Sequence, residues 1–112
     1  MTPETENKFN KDAFSKMKND AIFINIGRGA IVDEDALIDA LNNHEIGGCG
    51  LDVLREEPSK LDHPLLKMEK AVILPHIGSA SVATRDRMIQ LCVDNIAAIL
   101  KGEKPLTPIT NK

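Results

Sequence analysis

The 112 residues contain no tryptophan, no tyrosine and three phenylalanines. Few large side chains are therefore on hand to anchor an independent core. Cations are not in excess either: 14 Lys and Arg stand against 17 Asp and Glu, for a net charge of −3 and a pI near 5.6. Such a balance gives no ground for nucleic acid as a partner. No apolar run is long enough to cross a bilayer, so no membrane partner is expected. The start, Met1-Thr2-Pro3-Glu4-Thr5-Glu6, is polar and acidic, unlike a signal or transit peptide. Cys49 and Cys92 stand singly among apolar residues and no zinc spacing exists. The expectation is two buried thiols in a reducing, cytoplasmic setting, with no metal site. Repeats and low-complexity tracts are missing. So is any G-x-G-x-x-G, the phosphate-binding turn of a dinucleotide fold.

What is present is organised around Ala21-Ile22-Phe23-Ile24-Asn25-Ile26-Gly27-Arg28-Gly29-Ala30-Ile31-Val32-Asp33. A branched apolar run, two glycines bracketing an arginine and an aspartate read as a buried strand over 21–26, a tight turn and a helix start. Before it, Asn10 is a candidate N-cap for a short helix to about Lys18, with Phe9 and Phe14 spaced as a hydrophobic staple. After it, Asp33 caps a helix with Glu34 and Asp35 in the first turn and an apolar face of Ala36, Leu37, Ala40 and Leu41, stopped at Asn42-Asn43. A second strand lies within 46–54 and leads into the charged loop Arg55-Glu56-Glu57-Pro58. Residues 59–70 read as loop with room for a short turn, and Pro64 as a breaker. A third strand over 71–74 ends in Pro75-His76-Ile77-Gly78-Ser79. A long helix then runs from about Ser81 to Lys101, its apolar face traced by Val82, Met88, Ile89, Cys92, Ile96, Ile99 and Leu100. Gly102 stops it, and Pro105 and Pro108 keep the tail extended. Alternation of this kind predicts an α/β fold, a parallel sheet covered by helices. Three strands are few for such a sheet.

Each strand end delivers one ionisable group: Arg28, then Glu57 just beyond Asp52, then His76. Open parallel sheets bind ligands at the carboxyl ends of their strands, so the three converge on one crevice. Together they suit reduction of a 2-oxo acid. The Arg28 fork matches a carboxylate and polarises the neighbouring carbonyl. His76 supplies the proton, and Glu57 fixes its tautomer and favours the protonated ring. Taken singly each has a plainer reading: a surface arginine in a turn, a solvated glutamate, a satisfied loop histidine. Asp52 can equally cap a turn, and His44 and His63 are read as structural.

Read together, these blocks resemble the C-terminal part of a D-isomer-specific 2-hydroxyacid dehydrogenase, in its glyoxylate/hydroxypyruvate reductase branch. The matching residues are Thr2-Pro3-Glu4-Thr5, the stretch from Asn25 to Asp33, Gly50-Leu51-Asp52-Val53 through Glu57-Pro58, and Pro75-His76-Ile77-Gly78-Ser79-Ala80. The resemblance implies a partial Rossmann-type doubly wound parallel sheet of about three strands with flanking helices. It implies Arg28, Glu57 and His76 as catalytic residues. Ile26, Gly27, Arg28, Asp52, His76 and Gly78 would form the nicotinamide end of an NAD or NADP site, with Asp52 meeting the carboxamide. Glu57 argues against a formate dehydrogenase, which carries glutamine there, and Gly78-Ser79 leans away from phosphoglycerate dehydrogenase. Leu54 stands where phenylalanine is commoner.

Residues 1–112 are then expected to be the C-terminal part of an NAD(P)-binding domain, lacking the glycine-rich half and the substrate domain. The β-edge along Ala21–Ile26 loses its neighbour on that reading. The family implies a homodimer and a small 2-oxo or 2-hydroxy acid as the ligand. Two other readings accompany the enzyme: a nucleotide-regulated corepressor of the same fold, or a non-catalytic remnant that binds a partner through its open edge.

Overall fold

Asn10 and Asp33 both lead their helices because a short side-chain oxygen can satisfy an amide that has no intrahelical partner. In the computed structural model, which describes residues 2–109, Asn10 accepts from Ala13 N at 3.2 Å and starts α1 (Lys11–Ser15). Asp33 accepts from Ala36 N at 3.2 Å and starts α2 (Glu34–Asn42). Between them lies β1 (Ile22–Asn25), followed by a 3₁₀ turn at Gly29–Ile31. The chain continues through β2 (Gly48–Leu51), a second 3₁₀ turn (Pro64–Lys67), β3 (Ala71–Ile73) and α3 (Val82–Leu100). The three strands and three α-helices fall where they are expected, though trimmed. The first helix stops three residues short of Lys18, and a 3₁₀ turn separates Arg28 from α2. The short turn within 59–70 is the second 3₁₀ turn, and Pro64 opens it: its missing N–H is no loss at the first position.

The chain forms two compact units that divide after Gly78. In the first, the three strands pair in parallel in the order β1-β2-β3, with Phe23 beside Cys49 and Asn25 beside Leu51. One sheet face packs on α1 and α2. Phe14, Phe23, Leu37, Leu41, Cys49, Leu51 and Leu65 belong to its core. The scarce aromatics are concentrated there, with the Phe9 and Phe14 rings 5.1 and 5.3 Å from that of Phe23. Both staple residues thus meet on a third ring. Burial pushes the Cys49 thiol up to about 11, so it stays protonated.

The 21–26 run is not buried throughout. Successive side chains point to opposite faces, so Phe23 and Asn25 are buried while Ile22 and Ile24 are 61% exposed on the other face. Their register partners on that face are Gly48 and Gly50, which carry no side chain to cover them. Val72 is open there too. β1 is an edge of the sheet, as expected.

The second unit is α3 and the tail beyond it. Ser81 Oγ accepts from Thr84 N at 3.2 Å to cap the helix, and Gly102 leaves it with φ +76°, a conformation glycine adopts without penalty. The tail is tied back: Asn95 accepts from Thr107 N and donates to Thr107 Oγ, each at 3.1 Å. The predicted apolar face is exposed, at Val82, Met88, Ile89, Ile96, Ile99 and Leu100. Cys92 lies on it and is exposed, contrary to the expectation of two buried thiols.

Core and outer face should respond differently to truncation. Leu37→Ala, at a fully buried position, is expected to cost about 2–5 kcal/mol. Ile24→Thr keeps the β-branched shape on the open face and should stay within about 0.5 kcal/mol. Equilibrium urea unfolding of the two variants checks this; equal losses would mean that the Ile22/Ile24 face is covered.

Candidate active site

Three consecutive parallel strands bring their carboxyl ends side by side, and the segments that leave them build one site. Asp52 laces the ends together. Its backbone N–H donates to Asn25 O at 2.9 Å, and its carboxylate accepts from Ile77 N and Gly78 N, each at 2.7 Å. This buried side chain joins the end of β2 to the loop after β3. Asp52 thus caps the turn that follows β3. Each carboxylate oxygen keeps further acceptor capacity.

His76 follows in the left-handed region, with φ +55°, an unusual setting that histidine tolerates better than most residues. Its ring Nδ1 lies 2.7 Å from Glu57 Oε2. Glu57 is anchored on its other oxygen, where Leu54 N donates at 3.0 Å. The His76 ring first, then the Leu54 amide, hold the Glu57 carboxyl below its usual range. An ionised Glu57 accepts from Nδ1–H, which leaves Nε2 as the nitrogen available to a ligand.

Arg28 arrives from β1 through a tight turn. The buried Asn25 side chain accepts from Gly27 N and donates to Arg28 O, both at 3.0 Å. The exposed guanidinium donates back to Gly27 O at 2.8 Å. Gly29 then runs against the β2 exit so closely that a Cβ on it would lie 2.0 Å from the Leu54 carbonyl. Only glycine fits, and the arginine turn is seated on the residue whose amide holds Glu57. Arg28, Glu57 and His76 consequently line one open cavity of about 380 Å³, together with Gly29, Val53 and Arg55. A second, apolar hollow of about 320 Å³, walled by Leu66, Ile73 and Leu74, shares Glu57 and His76.

The other expected residues surround this site. Ile26, Gly27 and Gly78 are exposed just past β1 and β3. A Cβ on Gly78 would come within 3.0 Å of Asp52 Oδ2, so glycine keeps that carboxylate uncrowded. An apolar side chain, two glycines and a carboxylate acceptor make a lining suited to a nicotinamide ring and the N–H groups of its carboxamide. The sequence holds no glycine-rich turn for a pyrophosphate. Among the described residues no group of three or more metal-binding side chains occurs. His44 and His63 are structural: His63 accepts from Leu65 N and meets Glu34 at 3.4 Å, and His44 meets Lys70.

The sequence assigned Asn25, Glu34 and Arg55 no part in the site. Glu34 accepts from Arg55 N, and the Arg55 guanidinium reaches Asn7 at 2.6 Å and Glu6 at 2.8 Å, so the Glu57 loop is moored on α2 and the N-terminal segment. An amide at the inward-facing last position of β1, two residues before Gly27-Arg28-Gly29, is the one signal that could have flagged Asn25.

Residues 1–78 match the family of the D-isomer specific 2-hydroxyacid dehydrogenase NAD binding domain. The glyoxylate/hydroxypyruvate reductase B of Escherichia fergusonii is 53% identical over 102 residues, which cover 91% of this chain and 32% of that protein. The NADPH-dependent glyoxylate/hydroxypyruvate reductase of Sinorhizobium meliloti, solved with NADP and malonate, superposes with a TM-score of 0.91 at 42% identity, over 97% of this chain and 34% of the other. D-lactate dehydrogenase with NAD+ from Lactobacillus jensenii superposes at 0.83 with 33% identity, over 99% and 37%. The chain spans about a third of the length of the curated relatives it matches. These relatives are enzymes and lend no support to the corepressor or remnant readings.

Two measurements probe the geometry itself. Since its pKa is depressed by folding, Glu57 contributes stability that is present above the ordinary glutamate value, about 4.3, and is lost as pH falls through the lowered folded value. Carboxyl-carbon NMR titration should show Glu57 returning most of the way to its usual range in His76→Ala, with the Leu54 amide retaining a remainder. An unchanged titration would rule out the Glu57–His76 hydrogen bond in solution. Gly29→Ala should cost about 1–3 kcal/mol in urea unfolding, because backbone must move to admit the methyl group.

Proposed function

The chain belongs to the D-isomer-specific 2-hydroxyacid dehydrogenase family, and we propose that its strand-end triplet serves NAD(P)H-dependent reduction of a small 2-oxo acid, such as glyoxylate or hydroxypyruvate, to the 2-hydroxy acid. The observation that carries this is the Glu57–His76 pair at 2.7 Å on the rim of the cavity that Arg28 also lines. Ile26, Gly27, Asp52 and Gly78 would hold the nicotinamide end of the cofactor, which when bound would supply the hydride for the substrate's carbonyl carbon. Arg28 holds the substrate carboxylate with its planar fork and draws electron density from the adjacent carbonyl. His76 gives the proton on Nε2 to the carbonyl oxygen. Glu57 keeps Nδ1 protonated throughout and stabilises the imidazolium before transfer. In the reverse direction His76 takes the hydroxyl proton. The cytoplasm and a homodimeric assembly are the setting we infer for the whole enzyme.

A chimera tests this: the corresponding third of the Escherichia fergusonii reductase replaced by this chain, assayed with glyoxylate and hydroxypyruvate. Arg28→Ala should mainly raise KM and also lower kcat, since it acts in both ground and transition states. His76→Ala should lower kcat by roughly 10²–10⁴-fold. A loss of only a few fold would remove the proton-donor role.

Glu57→Gln replaces the charged acceptor that orients His76 Nδ1 and should lower kcat for reduction by roughly 10–100-fold, the worth of a hydrogen bond to a charged group. Pre-steady-state hydride transfer reads this directly, and an unmoved rate counts against the pairing.

The 112 residues alone should neither turn over substrate nor bind NADH tightly, because dinucleotide affinity comes largely from a pyrophosphate on a glycine-rich turn. Isothermal titration giving a Kd in the low micromolar range would contradict this.

A further inference from the structure

We propose that Asn25 is a positioning residue whose buried carboxamide holds the turn that presents Arg28, a role that rests on the substrate contact proposed for Arg28. Asn25 is 4% exposed, and its main chain is committed to the sheet, where its carbonyl accepts from Asp52 N. Its side chain is free to organise the residues that follow. Oδ1 takes the Gly27 N–H and Nδ2 gives to the Arg28 carbonyl, both at 3.0 Å, so one side chain spans the Gly27–Arg28 pair from its first amide to its last carbonyl. The guanidinium closes the circuit by donating to Gly27 O at 2.8 Å. Beyond Arg28 the chain is fixed again, by Ile31 N on Arg28 O at 3.3 Å, Val32 N on Gly29 O at 2.9 Å and the seat of Gly29 against Leu54.

Neither aspartate nor alanine fills this place. Aspartate accepts from Gly27 N but sets a second oxygen against the Arg28 carbonyl. Alanine leaves the Gly27 N–H without its partner and the Arg28 carbonyl with only the longer bond from Ile31 N. Arg28 itself is exposed and has no carboxylate partner among the described residues, so the direction of its long side chain depends on the backbone beneath it.

NMR on the 112-residue chain separates positioning from mere stability. The readouts are hydrogen exchange of the Gly27 amide, the Arg28 Nε–H resonance, and titration with oxamate as a carboxylate probe. In Asn25→Ala, Gly27 exchange should quicken and oxamate affinity fall, each by roughly three- to tenfold, the worth of one hydrogen bond. Asn25→Asp preserves the volume and serves if the alanine variant does not fold. It should keep Gly27 slow while shifting the Arg28 resonance and weakening oxamate, a split that general destabilisation does not produce. Wild-type Gly27 exchange in Asn25→Ala, or undiminished oxamate affinity in either variant where Arg28→Ala abolishes it, overturns the proposal. Oxamate affinity that is indifferent to Arg28→Ala overturns the substrate role of Arg28 instead, and with it the purpose assigned to Asn25; the Gly27 exchange still reports whether the turn is held.

Discussion

The carboxylate of Asp52 is the fixed point of this site. A parallel sheet aligns its strand ends but does not tie together the loops that leave them. Here one buried carboxylate accepts from two successive amides, Ile77 and Gly78, while its own amide is spent on Asn25 O. Hydrogen bonds to an ionised acceptor are short and strong, and two of them on one side chain leave the 77–78 segment little freedom. His76 immediately precedes that segment, and its left-handed backbone is sustained by a clamp one residue downstream.

From that point the constraint passes to the arginine side through backbone, not through charge. Gly29 touches the Leu54 carbonyl group, and the Leu54 amide fixes one oxygen of Glu57, whose other oxygen faces His76. Steric contact sets the separation, and the hydrogen bonds set the orientation. The Glu57 loop has its own mooring in Glu34 and the Arg55 guanidinium. Exposed ion pairs of the Arg55–Glu6 kind contribute little stability by themselves. Their effect here is to give a loop without regular structure a defined course between β2 and the 3₁₀ turn.

The fold was legible where local chemistry and tertiary packing agree. Asn10, Asp33 and Ser81 cap helices because a cap is a local interaction, and Ala36, Leu37, Ala40 and Leu41 are buried because a helical period already marks one face. Burial of β1 was misread for the opposite reason. A run of apolar residues carries no sign of which face is covered, and the outward set Ile22 and Ile24 is as apolar as the inward Phe23. The relevant information sits across the sheet, where β2 offers only Gly48 and Gly50 on that side. Cys92 fails similarly: it lies on an apolar helical stripe, but a stripe predicts burial only when something packs against it.

The site divides along the same line. Arg28, Glu57 and His76 stood out because a guanidinium, a carboxylate and an imidazole at successive strand ends are chemically unusual neighbours. Asn25, Leu54 and Gly29 did not, since what they contribute is a direction and a distance. An asparagine hydrogen-bonds to whatever lies within reach, and nothing in its identity says that the backbone on either side of an arginine is what it will find. A backbone amide has no sequence signature at all, so the Leu54 anchor on Glu57 exists only once the chain has turned. Reactive groups can therefore be recognised from residue type and order, whereas the groups that aim them depend on angles fixed by the fold. That is why a triplet read from 112 letters needs the turn, the clamp and the close glycine contact before it becomes a site with a shape.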